Sequence, residues 1–153
     1  MSAVDKFQDW GLTFRKPSDN QVELPSDITM LNSEELGEIF TRLTAWTDYI
    51  ASQLVHAQLD ERAAQKVLEY NENLMLVKRL GSGTRGERVT TVKAEIAIDE
   101  NIVQLSNQYE EKYAYRKLVE MLLHNHERDL SLVSREITRR SNDSRALRKE
   151  YGI

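Results

Sequence analysis

The chain has 153 residues, a formal net charge of −4, 30% charged residues and no cysteine. This length predicts one domain, and the lack of cysteine excludes disulfides, zinc-thiolate sites and thiol catalysis. No stretch approaches the ~20 apolar residues of a membrane span, and the N-terminus lacks the basic start and apolar run of a secretion signal, so we expect a cytoplasmic protein. The acidic balance argues against coating nucleic acid over the whole surface but leaves room for a local basic face.

Residues 1–30 predict an irregular N-terminal arm. The segment holds both prolines of the chain and shows no helical period. Its aromatic residues, Phe7, Trp10 and Phe14, have the spacing of a short amphipathic turn that docks in a partner's groove. The alternative is an arm that covers the chain's own helices.

A long helix is predicted over about residues 33–80. Asn32 and Glu35 have the spacing of a capping box, in which each side chain accepts the backbone N–H of the other residue. From there one face steps by four and three residues through Leu36, Phe40, Leu43, Thr47, Ile50, Leu54 and Ala57. This period is that of an amphipathic helix.

The predicted turn, residues 81–86, reads GSGTRG and has the G-x-G-x-x-G spacing of dinucleotide-binding loops. Those loops follow a strand in a βαβ unit, whereas this one follows a helix, and the Gly-Lys-Ser/Thr of a Walker loop is absent. We therefore interpret the glycines as a helix end, with Gly81 in the left-handed cap conformation. Thr84 and Glu87 then form a second capping box that starts the next helix.

A second long helix is predicted over about residues 87–140, followed by a stop or kink at 141–144 and a short C-terminal segment. Residues 92–98 alternate like a strand but also fit a helix, and we favour the helix, with Asp99 as a possible break. The later part has a heptad-like seam at Val119, Leu123, His126, Leu130, Val133 and Ile137.

Two long helices around one turn predict an all-α hairpin, with residues 31–153 as one helical domain. The apolar stripes are wide and partly two-sided. A lone hairpin would leave such stripes in water, so we expect coiled-coil-like seams and assembly into a homo-oligomer.

Positive charge concentrates around the predicted turn. Five cations lie within 16 residues that contain one acid, Glu87: Lys78, Arg79, Arg85, Arg88 and Lys93. Such a cluster can meet a phosphate backbone, or it can be a solvated turn whose charges keep the chain soluble. A second basic cluster, residues 134–150, has six cations against three acids and could contact nucleic acid or an acidic partner.

No catalytic constellation can be argued from the sequence, so we expect no enzyme, no metal and no cofactor. His124 and His126 are two residues apart and point about 200° apart on a helix, so they cannot share a metal. Glu120 and His124 have the i, i+4 spacing of a bundle metal site, but no second such pair occurs.

Several segments together resemble the UvsY-type recombination mediators of tailed phages. They are Ala64-Gln65-Lys66, the turn GSGTRG, the helix VTTVKAEIAIDENIVQL, and NQYEEKYAYRKLVEMLLHNHERDLSLVSREI. The resemblance covers about residues 60–140 and lies in layout and pattern.

This resemblance implies a helical protein that assembles into a ring and binds single-stranded DNA. It would help to load a RecA-like recombinase onto DNA covered by single-strand-binding protein. In the family, basic residues near the helix end and turn bind DNA, and these match Lys78, Arg79, Arg85 and Arg88. The C-terminal helix serves assembly, which matches the seam from Val119 to Ile137.

Two other classes of function fit the same pattern. One is a structural helical protein of a phage, an assembly or virion component, that binds copies of itself and no DNA. The other is an adaptor whose aromatic arm captures one partner.

Overall fold

The computed structural model describes residues 2–82 and 89–152. Within these ranges the chain forms α1 (Ala3–Asp9), a 3₁₀ turn (Ile28–Met30), α2 (Ser33–Ser82), α3 (Val89–Ala97) and α4 (Glu100–Tyr151), and no strand. The long helices α2 and α4 pack against each other. The predicted all-α class and helical hairpin are confirmed.

Helix α2 begins at the predicted capping box. The backbone N–H of Asn32 donates to Oε2 of Glu35, and the N–H of Glu35 donates to Oδ1 of Asn32, each over 2.8 Å. The expected cap at Gly81 is wrong, because Gly81 lies inside the helix and has no positive φ. The second predicted box, Thr84 and Glu87, lies outside the described residues.

The ambiguous segment after the turn is a helix, α3, and it breaks at the predicted place. Asp99 is the N-cap of α4, where its Oδ1 accepts the backbone N–H of Asn101 (3.0 Å) and of Ile102 (3.3 Å). The first N–H groups of a helix have no partner within the helix, and leaving them unpaired costs free energy. An N-cap side chain that accepts them lowers the cost of starting a new helix at this position.

The predicted stop at 141–144 is wrong, because α4 continues through it to Tyr151. Ser144 donates its hydroxyl to the carbonyl of Arg140 (3.0 Å), and Arg139 pairs with Asp143 four residues on (2.7 Å). Ser, Asn and Asp favour helix ends because their side chains can bond the backbone outside a helix. Here the side chains of Ser144 and Asp143 bond within α4, so the helix continues.

The N-terminal arm is not irregular throughout, since it starts with α1. Ser2 and Asp5 form a capping box at its start. At its end Gly11 has φ +71°, and the N–H of Leu12 donates to the carbonyl of Phe7 (3.2 Å). This pair of features is the Schellman ending of a helix. Seven residues are too few for a period to be read from the sequence.

The described contacts divide the chain into two compact units. The first, Met1–Gln53 with Met121–Ile153, has a core of Leu36, Leu43 and Val133. Partly buried residues pack on it from the arm and from both long helices: Val22, Leu24, Leu31, Ile39, Phe40 and Leu130. The arm therefore covers the apolar seam between α2 and α4 in this unit.

The second unit, Leu54–Glu120, has its own core. Val92 and Ile96 of α3 pack with Ile102 of α4. Leu68, Met75 and Leu76 of α2 cover them. The short helix α3 thus gives its buried face to the later part of α2.

Candidate nucleic-acid interface

The candidate interface is the end of α2 together with α3. Lys78 and Arg79 lie in the last turns of α2, where cations are favoured near the exposed carbonyls. Lys93 lies on α3 and is exposed. Arg85 and Arg88, the other two cations of the predicted cluster, lie outside the described residues.

One of these cations joins the two helices. Nη1 of Arg79 lies 3.1 Å from Oε2 of Glu95, and both side chains are about half exposed. An exposed pair of this kind contributes little to stability, typically ~0–1 kcal/mol, so the guanidinium can exchange partners at low cost. Sequence reasoning missed Glu95 because it lies two residues beyond the last cation counted.

Lys93 lies at the wall of a small cavity of about 240 Å³ between α2 and α3. Glu72, Asn73, Leu76, Ile96 and Ala97 complete its lining. Lys93 is thus exposed beside the contact between α2 and α3. Leu76 and Ile96, which also line this cavity, belong to the core of the second unit.

The predicted assembly seam lies inside the chain. Val119, His126 and Val133 are buried, Leu123 and Leu130 are half-buried, and Ile137 is exposed. Val133 and Leu130 pack against α2 residues of the first unit's core. Five of the six seam residues are therefore covered within one chain, so they do not form an open surface for a second copy.

His124 and His126 do not point towards a common site. His126 is buried, with Nδ1 at 3.0 Å from the carbonyl oxygen of Leu122. His124 is exposed, with Nδ1 at 3.3 Å from Glu127. Across the described ranges, no group of three or more His, Asp or Glu side chains is placed to hold a metal ion.

The aromatic residues of the arm form a small surface cluster. The rings of Phe7 and Phe14 stack with centroids 4.9 Å apart and planes 19° apart. Trp10, at the end of α1, is 78% exposed. No residue of α1 is buried, so the part of the arm that covers the core comes later in the chain.

That later part is held by side chains that donate to its backbone. Nη2 of Arg42 donates to the carbonyl of Asn20 (3.0 Å), and Nε1 of Trp46 donates to the carbonyl of Asp19 (3.2 Å). Lys16 also lies over the Trp46 ring, 6.0 Å from its centroid. These bonds hold this segment on α2 through its backbone carbonyls and not through the side chains of Asp19 or Asn20.

A second attachment of the arm comes from α4, and the i, i+4 spacing of Glu136 and Arg140 indicates the pair but not its contact with the arm. Glu136 is only 7% exposed and accepts hydrogen bonds from Arg139 (2.8 Å to Nη2) and Arg140 (2.7 Å to Nε). Arg140 also donates to the carbonyl of Thr29 in the arm (3.1 Å). The bonds from Arg139 first, and then from Arg140, lower the pKa of the Glu136 carboxyl to about 2.

The signal for this cluster was present in the sequence. Residues three or four apart lie on the same helix face, so either Glu136 or Ile137 could follow Val133 on the buried face. The prediction chose Ile137, whereas the structure buries Glu136. A sequence pattern alone favours a polar face for Glu136, because acids are rarely buried unless they are paired.

In the second unit, Arg116 and Glu61 join the two long helices. Nε of Arg116 bonds Oε2 of Glu61, its Nη2 lies 3.4 Å from Oε1, and its Nη1 lies 3.1 Å from Glu120. Both Arg116 and Glu61 are largely covered. The hydrogen bond to Glu61 raises the pKa of Arg116. Because Glu61 and Glu120 accept from Nε, Nη1 and Nη2 of this guanidinium, it is not a candidate for DNA contact.

No protein-family model, curated protein or solved structure matches the chain. Among the described residues, no helix has the length and apolar character needed to cross a membrane. The fold is an all-α helical hairpin, and its candidate interface consists of the described cations in the last turns of α2 and on α3.

Proposed function

We propose that the protein is a recombination mediator that binds single-stranded DNA and has no chemistry of its own. It would help to load a RecA-like recombinase onto DNA covered by single-strand-binding protein, in the cytoplasm of the host cell if a phage encodes it. The observation that supports this proposal is that Lys78 and Arg79 lie in the last turns of α2 and Lys93 is exposed on α3, the helix that the Arg79–Glu95 pair joins to α2. The resemblance to UvsY-type mediators supports the same assignment.

Charge explains why this surface suits a phosphate backbone. From 78 to 95 the chain has five cations and two acids, although the whole chain carries a net charge of −4. Each cation that neutralises a phosphate releases a condensed counterion, so affinity falls steeply as salt rises. Because the contacts are to phosphates, binding is independent of base sequence.

The test is a fourfold charge reversal at the candidate interface. We expect Lys78→Glu, Arg79→Glu, Arg85→Glu and Arg88→Glu, combined, to abolish binding of a labelled oligonucleotide at low salt. Fluorescence anisotropy across a salt series, with single- and double-stranded probes, measures the affinity and its salt slope. The far-ultraviolet circular dichroism spectrum should stay helical.

A matched control reverses four exposed cations outside both basic clusters, at Lys6, Arg62, Lys112 and Arg128. The control makes the same change in net charge, so it should lower affinity only through the general field of the protein. Equal losses in the two variants would contradict the assignment to the end of α2 and α3. Unchanged affinity in the first variant would contradict it as well.

A structural helical protein without DNA binding is the second candidate. It is favoured by the large apolar side chains that remain exposed on both long helices, including Tyr70, Val77 and Leu118. It predicts an oligomer that binds neither probe in the anisotropy experiment.

The arm offers a separate test of partner capture. We expect Trp10→Ala to weaken binding of the recombinase and to leave DNA affinity unchanged, because Trp10 is exposed and lies far along the chain from the cations. If the variant instead loses function while its oligomer stays intact, and the native chain binds no DNA, the adaptor alternative is supported.

A further inference from the structure

The later part of α2 carries an exposed apolar stripe that the fold does not use. Its members are Leu59, Ala63, Val67, Tyr70, Leu74 and Val77, all exposed, at steps of four, four, three, four and three residues. Such spacing keeps side chains on one face of a helix for more than four turns. The α2 stripe, as we call these six residues, lies entirely in the second unit.

The α2 stripe is separate from the face that packs in the core. Leu68 and Met75 face Val92, Ile96 and Ile102. At 3.6 residues per turn, the mean direction of the stripe lies about 140° around the helix from the packed face. The stripe is therefore a second apolar face, separate from the face that packs in the core. A helix with two apolar faces can pack against a different partner on each face.

The order of residues in the α2 stripe is symmetric about its centre. Leu59 pairs with Val77, Ala63 with Leu74, and Val67 with Tyr70, and the midpoints of all three pairs fall at 68 or 68.5 in the numbering. A second copy running antiparallel would place each residue opposite the other member of its pair. Self-complementarity of this kind is the mark of an isologous two-fold contact.

Two charges on one edge of the α2 stripe have nearly the same centre, at 69 in the numbering. Asp60 and Lys78 are eighteen residues apart. This separation is five full turns, so they lie on the same edge of the helix about 27 Å from each other. In an antiparallel pair Asp60 of each copy lies opposite Lys78 of the other, whereas a parallel pair would bring like charges together.

From this symmetry we propose that the α2 stripe is a contact between two copies of this chain, packed antiparallel about a two-fold axis near residue 68. Apolar layers form its centre, and two Asp60–Lys78 pairs form one edge. The seam from Val119 to Val133 holds each chain together, and the α2 stripe joins one chain to the next. This contact does not depend on DNA binding and would exist equally in a structural protein.

A charge swap tests the proposal. Light-scattering mass across a concentration series, without DNA, should show association of the native chain. We expect Asp60→Lys or Lys78→Asp alone to raise the dissociation constant about tenfold, because each creates two like-charge contacts. The double variant should recover the native value, and since the two sites are about 27 Å apart in one chain, recovery must come from contact between copies.

Arg135→Asp is the control, because it reverses an exposed cation on α4, away from the α2 stripe, and should leave the mass unchanged. A native chain that is monomeric at every concentration overturns the proposal. Single variants with native mass, or a double variant that stays dissociated, also overturn it. The effect of Lys78→Asp on DNA affinity is measured separately, by anisotropy. The mass measurement contains no DNA, so its result stands even if the protein proves not to bind DNA.

Disulfide trapping fixes the direction of the two helices. The chain has no cysteine, so introduced thiols have no competitors. Under mild oxidation, a mixture of the Leu59→Cys and Val77→Cys variants should form the heterodimer in preference to either homodimer, because in the antiparallel pair each residue lies about 27 Å along the axis from its own copy. Each variant cross-linking mainly to itself would indicate parallel packing and would overturn the antiparallel arrangement.

Discussion

At the scale of single residues, the most informative side chain is Glu136. A carboxylate on the buried face of α4 would be costly alone, but two guanidinium groups surround it. Arg140 uses its remaining donors to bond Thr29 of the arm. The carboxylate therefore orients the arginine that fastens the arm.

The first prediction concerns Glu136→Gln, which keeps the shape and removes the charge. The folded-state pKa of about 2 lies below the ordinary 4.5, so the ionised carboxylate stabilises the fold above about pH 4.5 and this stabilisation is lost as pH falls through 2. We expect the variant to be less stable than the native chain at pH 7 and the difference to shrink towards pH 2. Urea unfolding followed by circular dichroism at several pH values measures it.

Glu150→Gln is the matched control, since Glu150 is exposed near the end of α4. This variant should follow the native curve from pH 7 to pH 2. A constant difference between Glu136→Gln and the native chain over that range would show that the charge of Glu136 is not the source of the effect.

At the scale of elements, helix starts were predicted better than helix ends. Asn32 and Glu35 sit at a fixed spacing and satisfy each other's N–H, so the sequence contains the whole interaction. Residues 141–144 looked like a stop by composition, yet their side chains bond inside α4. Composition gives only a tendency of a segment to end a helix, whereas the spacing of a capping box identifies the two residues that bond each other.

The break between α3 and α4 yields the second prediction. Asp99→Ala removes the acceptor for the N–H groups of Asn101 and Ile102, which should cost about 0.5–2 kcal/mol of unfolding free energy. Asp99→Asn keeps an acceptor and should recover most of it. Thermal and urea unfolding measure both, and equal destabilisation by Ala and Asn would contradict the capping role.

Periodicity explains why the sequence indicates the seam but not which chain covers it. Steps of four and three identify a buried face equally well whether the covering helix belongs to the same chain or to another. Val119, His126 and Val133 are covered within the chain. The cation cluster was readable because it is continuous in sequence, but the Arg79–Glu95 pair depends on how α3 packs against α2.

At the scale of the whole molecule, each unit has a separate core, and the third prediction follows. Leu43 is fully buried in the first unit, so Leu43→Ala should lower the free energy of unfolding by about 2–5 kcal/mol. Leu132→Ala, at an exposed position of α4, should change it by less than about 0.5 kcal/mol. Urea titrations compare the two, and equal effects would contradict the assigned core.

The arm supplies the fourth prediction. Trp46→Phe keeps an aromatic ring and removes the Nε1–H that bonds the carbonyl of Asp19. We expect faster amide hydrogen exchange in residues 19–24, with α3 unaffected. Hydrogen exchange with mass spectrometry resolves the two segments, and uniform acceleration would indicate general destabilisation instead of arm release.

The two tryptophans of the chain lie in opposite environments: Trp46 is 5% exposed beneath the arm, and Trp10 is 78% exposed on α1. The native protein therefore contains two spectroscopic reporters that need no label. Trp46 should emit at shorter wavelength and resist acrylamide quenching until the arm leaves. Trp10 should emit as in water and shift to the blue only when a partner covers it, so one emission spectrum separates arm release from partner binding.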